Sequence, residues 1–342
     1  EEQVEAVDGP ATGEQALDDW ASVLVHRELL GRLVHEEFPG TFTDAELDAM
    51  REQEARSDCA LEDRIHLCFA AGKALEDRGE YEESFSHYER GNALKRQDLR
   101  YTPDQTDRRV DGQQEICTAE LFTSRAGTGV DAPDPIFVVG LPRAGSTLLE
   151  QILASHSMVD GTMELPTMLG IAQRLRGRST VRSTRYPRIL RDIDAEHLAE
   201  LGQHYLDDTR IFRGDAPYFV DKMPNNFFHV GLIRMILPHA KIIDARRDPL
   251  DTCIGNFRQL FAKGKNHSYD LVECAEYYLE YVRIMNHWDD VLPGRVLKVQ
   301  YEDLVADPET EGRGLVEHCG LDWSPDLLDF SGSGRGVRTA SA

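Results

Sequence analysis

Two rhythms of apolar and polar residues divide the chain. Up to about residue 126 the apolar positions recur at helical spacing. GEQALDDWASVLVHRELLGRLVHEEF (13–38) and TFTDAELDAMREQEA (41–55) both read as helices, the second with a Thr/Asp-type start. LCFAAGKALEDRGEYEESFSHYERGNALKRQ (67–97) reads as a helical hairpin. Its Gly72, Gly79, Tyr81, Ser84, Tyr88 and Gly91 fall where one tetratricopeptide-type repeat places its small and aromatic packing residues. GTGVDAPDP (127–135) is rich in Gly, Pro and Asp and punctuates the chain as a linker over 127–134. From residue 135 the rhythm changes. Short buried strands (IFVVG 136–140, YFVDK 218–222, KIIDARR 241–247, RVLKVQYEDL 295–304) alternate with helices (STLLEQILASH 146–156, FFHVGLIRMIL 227–237, and a long one over 271–292). Such alternation predicts an α/β fold: a P-loop-like, mainly parallel sheet with helices on both faces over 135–342, preceded by an all-helical region over 1–126.

Charge sharpens the division. The chain of 342 residues carries a formal net charge of −23, and residues 1–60 hold 16 acids against 4 bases. That balance argues against nucleic acid as the partner. The sign reverses after the first strand: Arg174, Arg176, Arg178, Arg182, Arg185, Arg188 and Arg191 occur with no acid among them. Such a run suits an anionic acceptor, an acidic peptide or a glycan, or else forms a solvated lid. The six cysteines are scattered and suit buried thiols in a reducing, cytoplasmic compartment. No apolar run approaches the roughly 18 residues of a membrane span, and no leader is visible.

The chemistry concentrates where strands end. Gly140 to Thr147 reads GLPRAGST, a strand–loop–helix with the spacing G-x-x-x-x-G-x-T. Glycines let main-chain N–H groups approach an anion, and the following helix N-terminus attracts it. Ser146 stands where a nucleotide triphosphate loop has its lysine, which weakens the case for ATP or GTP and suits a less charged phosphosulfate. Asp221, Lys222, Arg246 and Arg247 lie at other strand ends, the side on which α/β sheets bind ligands. Asp244 leaves a phosphoryl-transfer enzyme open as an alternative, and a non-enzymatic helical scaffold with a degenerate transferase domain is a second.

The segments PIFVVGLPRAGSTLLEQILASH, DGTMELP, FVDKMPNNF, AKIIDARRDPLDTCIGNFRQLF and VQYEDLVADPE, in that order, resemble a sulfotransferase with a tetratricopeptide-type N-terminal region, related to the tyrosylprotein sulfotransferases. The resemblance implies 3′-phosphoadenosine-5′-phosphosulfate (PAPS) as donor, with no metal. It implies that Arg143, Ala144, Gly145, Ser146 and Thr147 hold the 5′-phosphosulfate and Arg247 the 3′-phosphate, with Tyr301 near the donor. A serine common in the family is replaced here by Gly255, for which Asn256, Thr252 or Arg258 could compensate. The resemblance further implies Glu164 as the base that deprotonates a hydroxyl acceptor, and Lys222 and Arg143 as cations for the leaving group. A Gly-containing segment that usually follows in the family is expected to be cut short here. The acceptor class stays open between tyrosine or peptide, glycan and small molecule, with a peptide partner for the helical region as a further expectation.

Overall fold

The computed structural model describes residues 42–177, 185–262 and 264–329. The helix expected over 13–38, Arg178 and Arg182 of the arginine run, and the last residues of the chain lie outside them. Two compact units divide between Asp98 and Leu99.

The first unit contains α1 (Asp44–Ala55), α2 (Leu61–Asp77) and α3 (Tyr81–Gln97). Thr43 caps α1: its hydroxyl accepts from the Glu46 N–H, while the Glu46 carboxylate accepts from the Thr43 N–H at 2.7 Å. That reciprocal cap fixes the helix start. The α2–α3 hairpin closes through small residues. A Cβ at Gly72 would lie 3.0 Å from the Tyr88 ring, and one at Gly91 would lie 2.8 Å from the Cys68 Cβ. The Ser84 hydroxyl donates to the Gly72 carbonyl at 2.7 Å, and Phe69 meets Tyr88 edge-on. Tyr81, by contrast, is exposed. Leu47, Met50, Leu67, Ala70, Ala74 and Leu75 form the core of this unit.

The second unit is an α/β layer structure. Five parallel strands, β1 (Pro135–Gly140), β2 (Val159–Gly161), β3 (Tyr218–Lys222), β4 (Lys241–Arg246) and β5 (Val296–Gln300), are ordered β2-β3-β1-β4-β5. Every residue of β1 is buried, as the central strand of a sheet covered on both faces must be. Its side chains alternate: Phe137 and Val139 join one core, Ile136 and Val138 the other. The first core includes α4 (Asp104–Ile116), α7 (Thr167–Arg176), α8 (Ala195–Thr209), α9 (Val230–Ile236) and α11 (Leu271–Val291). The second includes α6 (Ser146–Ala154), α12 (Tyr301–Ala306) and α13 (Pro308–Cys319). The remaining helices are α5 (Ala119–Ser124) and α10 (Pro249–Phe257).

Both α4 and α5, which the sequence rhythm assigns to the helical region, fall in the second compact unit. The segment 127–134 is tied down within it: the Val130 N–H donates to the Ile236 carbonyl at 2.9 Å, and Asp134 pairs with Arg213 at 2.8 Å. The last strand is shorter than its pattern suggests, because Tyr301 starts α12. The described cysteines are free thiols, most of them buried. Among the described residues no helix is long and apolar enough to cross a membrane, and no group of His, Cys, Asp and Glu could hold a metal ion.

Candidate active site

The carboxyl ends of the strands build two adjoining groups of side chains. The first surrounds the loop from Leu141 to Gly145. Gly140 (φ 139°) leaves the sheet so close to β4 that a Cβ would lie 2.4 Å from the Ala245 carbonyl oxygen. Arg143 takes a left-handed conformation (φ 65°), unusual for a residue with a side chain. Gly145 (φ 86°) is the N-cap of α6, and a Cβ there would lie 2.4 Å from the Tyr301 ring. Only glycine allows the ring to close over the start of the helix. The loop is also held from below: the Asn256 amide donates to the Pro142 and Thr252 carbonyls, both at 2.8 Å.

Arg247 leans into the same group. Its guanidinium lies over the Tyr301 ring at 4.7 Å and donates to the Arg143 carbonyl at 3.4 Å, with Asp251 at 3.0 Å. Its neighbour Arg246 is committed elsewhere, pairing at 2.7 Å with buried Asp244, whose other oxygen accepts from the Tyr281 hydroxyl. Of the two adjacent arginines it is therefore Arg247 that reaches the loop. Asp244, with both oxygens engaged, is not free to hold a metal for phosphoryl transfer. Gly255 has a packing cause: a Cβ there would lie 3.1 Å from the Arg143 Cβ.

The second group sits at the ends of β2 and β3. Lys222, whose backbone pairs with Val138 of β1, is 1% exposed. Its ammonium donates to the Glu164 carboxylate at 2.9 Å, with Glu150 of α6 at 4.0 Å. The segment carrying Glu164 is anchored by Thr162, whose hydroxyl donates to the Val220 carbonyl at 2.6 Å. Asp221, the sequence neighbour of Lys222, points into the core. It accepts from the Tyr205 hydroxyl at 2.8 Å. Burial pushes its carboxyl up to about 7, against the opposing effect of that hydrogen bond.

Over residues 135–325 the chain matches the model of the sulfotransferase family. The chain belongs to that family. A protein of Aquifex aeolicus with no assigned function is 32% identical over 287 residues, 81% of this chain and 37% of its own length. Protein-tyrosine sulfotransferase A of Caenorhabditis elegans is 24% identical over 64% of this chain and 58% of its own length. The chain thus spans well under two thirds of either relative. Among solved structures, the sulfotransferase domain from the curacin biosynthetic pathway aligns at 20% identity and a TM-score of 0.42, covering 60% of this chain and 80% of that one.

In this member of the family the candidate residues read from the sequence fall into the two groups just described. Arg143 to Thr147, Arg247, Asn256 and Tyr301 surround the loop, and Glu164 and Lys222 form the ion pair. Arg188 pairs with Glu115 at 3.3 Å and Arg191 donates to the Glu115 carbonyl at 2.7 Å. Two residues near the ion pair escaped the sequence reading. Glu150 looked like any polar position of a helix. Lys265, in AKGKNHS, had no motif to mark it, yet Glu164 and Lys222 both act on its charge.

Proposed function

We propose that this sulfotransferase moves a sulfuryl group from PAPS to a hydroxyl acceptor by in-line displacement. The observation that carries the reading is the buried Lys222 ammonium, 2.9 Å from Glu164, at the end of the strand beside a phosphate-type loop that has no lysine. The loop side suits the donor's anionic groups. No side chain caps the first turn of α6 and no acid lies in it, so its N-terminus is open to an anion. Thr252 Oγ1 and Asn256 Oδ1 are buried without hydrogen-bond partners, the condition expected where a polar ligand completes the set. Arg143 to Thr147 would hold the 5′-phosphosulfate, and Arg247 with Asn256 the 3′-phosphate, with Tyr301 closing beside them.

Glu164 accepts the acceptor's hydroxyl proton. The new oxygen–sulfur bond forms as the sulfur–oxygen bond to the 5′-phosphate breaks, and that oxygen keeps the electron pair. Lys222 couples the two ends. A proton arriving on Glu164 cancels the charge that holds the ammonium, just as negative charge grows on the leaving oxygen. Lys222 is therefore worth more in the transition state than in the ground state. Arg143 supplies the second cation. The relatives named as protein-tyrosine sulfotransferases favour a tyrosyl hydroxyl as acceptor. The helical hairpin would then serve as the surface for a peptide.

Calorimetric titration tests the donor assignment. The expected result is binding of 3′-phosphoadenosine-5′-phosphate (PAP), the donor's product, and no binding of ATP with Mg²⁺. The reverse preference would overturn the assignment.

A further inference from the structure

Arg246 and Arg247 are neighbours on one backbone, and nothing in either side chain decides which of them turns to the loop. Their surroundings decide it. Arg246 is drawn away by Asp244, which also accepts from the Tyr281 hydroxyl of α11. Its guanidinium lies 5.4 Å from the Tyr281 ring. One turn earlier on the same helix face, the Tyr278 hydroxyl donates to the Arg247 carbonyl at 3.1 Å. The rings of Tyr278 and Tyr281 meet edge-on at 5.8 Å, so one face of α11 addresses both arginines.

The peptide unit that joins Arg247 to Asp248 is gripped at its other end too. The Asp248 N–H donates to the Glu302 carboxylate at 3.0 Å. Glu302 lies in the first turn of α12, next to Tyr301, over whose ring the Arg247 guanidinium rests at 4.7 Å. The Gln300 amide donates to the second Glu302 oxygen at 2.7 Å, which sets the direction of the carboxylate. One peptide unit is thus held by two side chains from separate elements: α11 on one side, the β5–α12 corner on the other. Starting α10 does not require this. The Asp248 carboxylate caps that helix itself, accepting from the Leu250 and Asp251 N–H groups at 2.8 and 3.2 Å.

The setting narrows the purpose. Asp248 is exposed and the Glu302 side chain is 41% exposed, so water is at hand for this peptide. Hydrogen bonds that replace available water add little to stability. What they add is direction. A peptide unit is planar, and with its carbonyl and its N–H both held the plane cannot turn, which fixes where the Arg247 side chain starts from. Groups that act on a ligand need this kind of support from the residues behind them.

We propose that Tyr278 and Glu302 are positioning residues for Arg247: by fixing the 247–248 peptide they aim its guanidinium at the loop, and so set the preference for a nucleotide that carries a 3′-phosphate. This deepens the donor reading above and rests on it for the identity of the nucleotide.

Calorimetry with PAP and with adenosine 5′-phosphate (AMP), which lacks the 3′-phosphate, tests the proposal. The wild type should bind PAP about 100-fold more tightly than AMP. Tyr278→Phe, which keeps the ring, and Glu302→Ala should each lose about tenfold in PAP affinity and leave AMP affinity unchanged. Glu302→Gln, whose amide oxygen still accepts from the Asp248 N–H, should restore most of the preference. In an Arg247→Met background, Tyr278→Phe should cost nothing further in PAP affinity, because its effect passes through Arg247. A structural role alone would cost the same in both backgrounds and overturn the proposal. A PAP preference that both variants keep would overturn it as well, and so would equal losses for PAP and AMP. If Glu302→Ala does not fold, Tyr278→Phe and its pairing with Arg247→Met decide. Equal binding of PAP and AMP by the wild type would overturn the assignment of the 3′-phosphate to Arg247 itself, and the proposal with it.

Discussion

The α2–α3 hairpin and the carboxyl edge of the sheet both depend on glycines, and to opposite ends. In the hairpin, Gly72 and Gly91 let two helices close on Tyr88 and Phe69, with the Ser84 hydroxyl on the Gly72 carbonyl and the Tyr88 hydroxyl on Glu76 at 3.1 Å. At the sheet edge, Gly145 lets Tyr301 close over a helix start, yet Thr252 Oγ1 and Asn256 Oδ1 are buried without hydrogen-bond partners. One region spends its packing on a settled fold. The other leaves polar groups to be completed from outside, the departure from local consistency that marks a functional site.

Matched glycine substitutions sharpen this contrast most. Gly145→Ala puts a Cβ 2.4 Å from the Tyr301 ring at φ 86°. The ring must move, taking with it the face on which Arg247 rests. PAP affinity measured by calorimetry should fall by about 10–100-fold, or 1.4–2.7 kcal/mol. Gly72→Ala meets the Tyr88 ring at 3.0 Å. Overpacking of about 1–3 kcal/mol there exceeds the helix-propensity gain of up to about 1. The variant should lose about 1 kcal/mol in denaturant unfolding while its PAP affinity stays that of the wild type. A loss of PAP affinity from Gly72→Ala would break the contrast.

The dependence on pH separates Asp221 from its neighbour Lys222. The folded state holds the Asp221 proton up to about 7, whereas the unfolded state releases it near the ordinary value of 3.8. Between those values the folded state binds more protons, so this group's contribution makes stability fall as pH rises from about 4 to 7. The size is on the order of 2–4 kcal/mol. Asp221→Asn should remove that slope from the stability–pH curve. An unchanged slope would mean that Asp221 is ionised in the core.

Much of this was legible in the sequence, because strand–helix alternation and the GLPRAGST loop are local patterns. So were Glu164, Lys222 and Arg247, each carried by a short segment at a strand end. Two things were not. β2 is three residues long, too short for a period to register. The extent of β5 was overread, because Tyr301 and Leu304 continue an apolar pattern that the chain completes as a helix. Of the arginine run, Arg188 pairs with the Glu115 carboxylate of α4 and Arg191 donates to its carbonyl.

The account rests most heavily on the Lys222–Glu164 pair as the reaction centre, and Glu164→Gln tests it with the least disturbance of shape. Single-turnover transfer from PAPS, measured beside PAP affinity, should fall by about 10²–10⁴-fold with PAP binding intact. Wild-type transfer by the variant would contradict the account, and so would a loss of PAP binding equal to the loss of transfer.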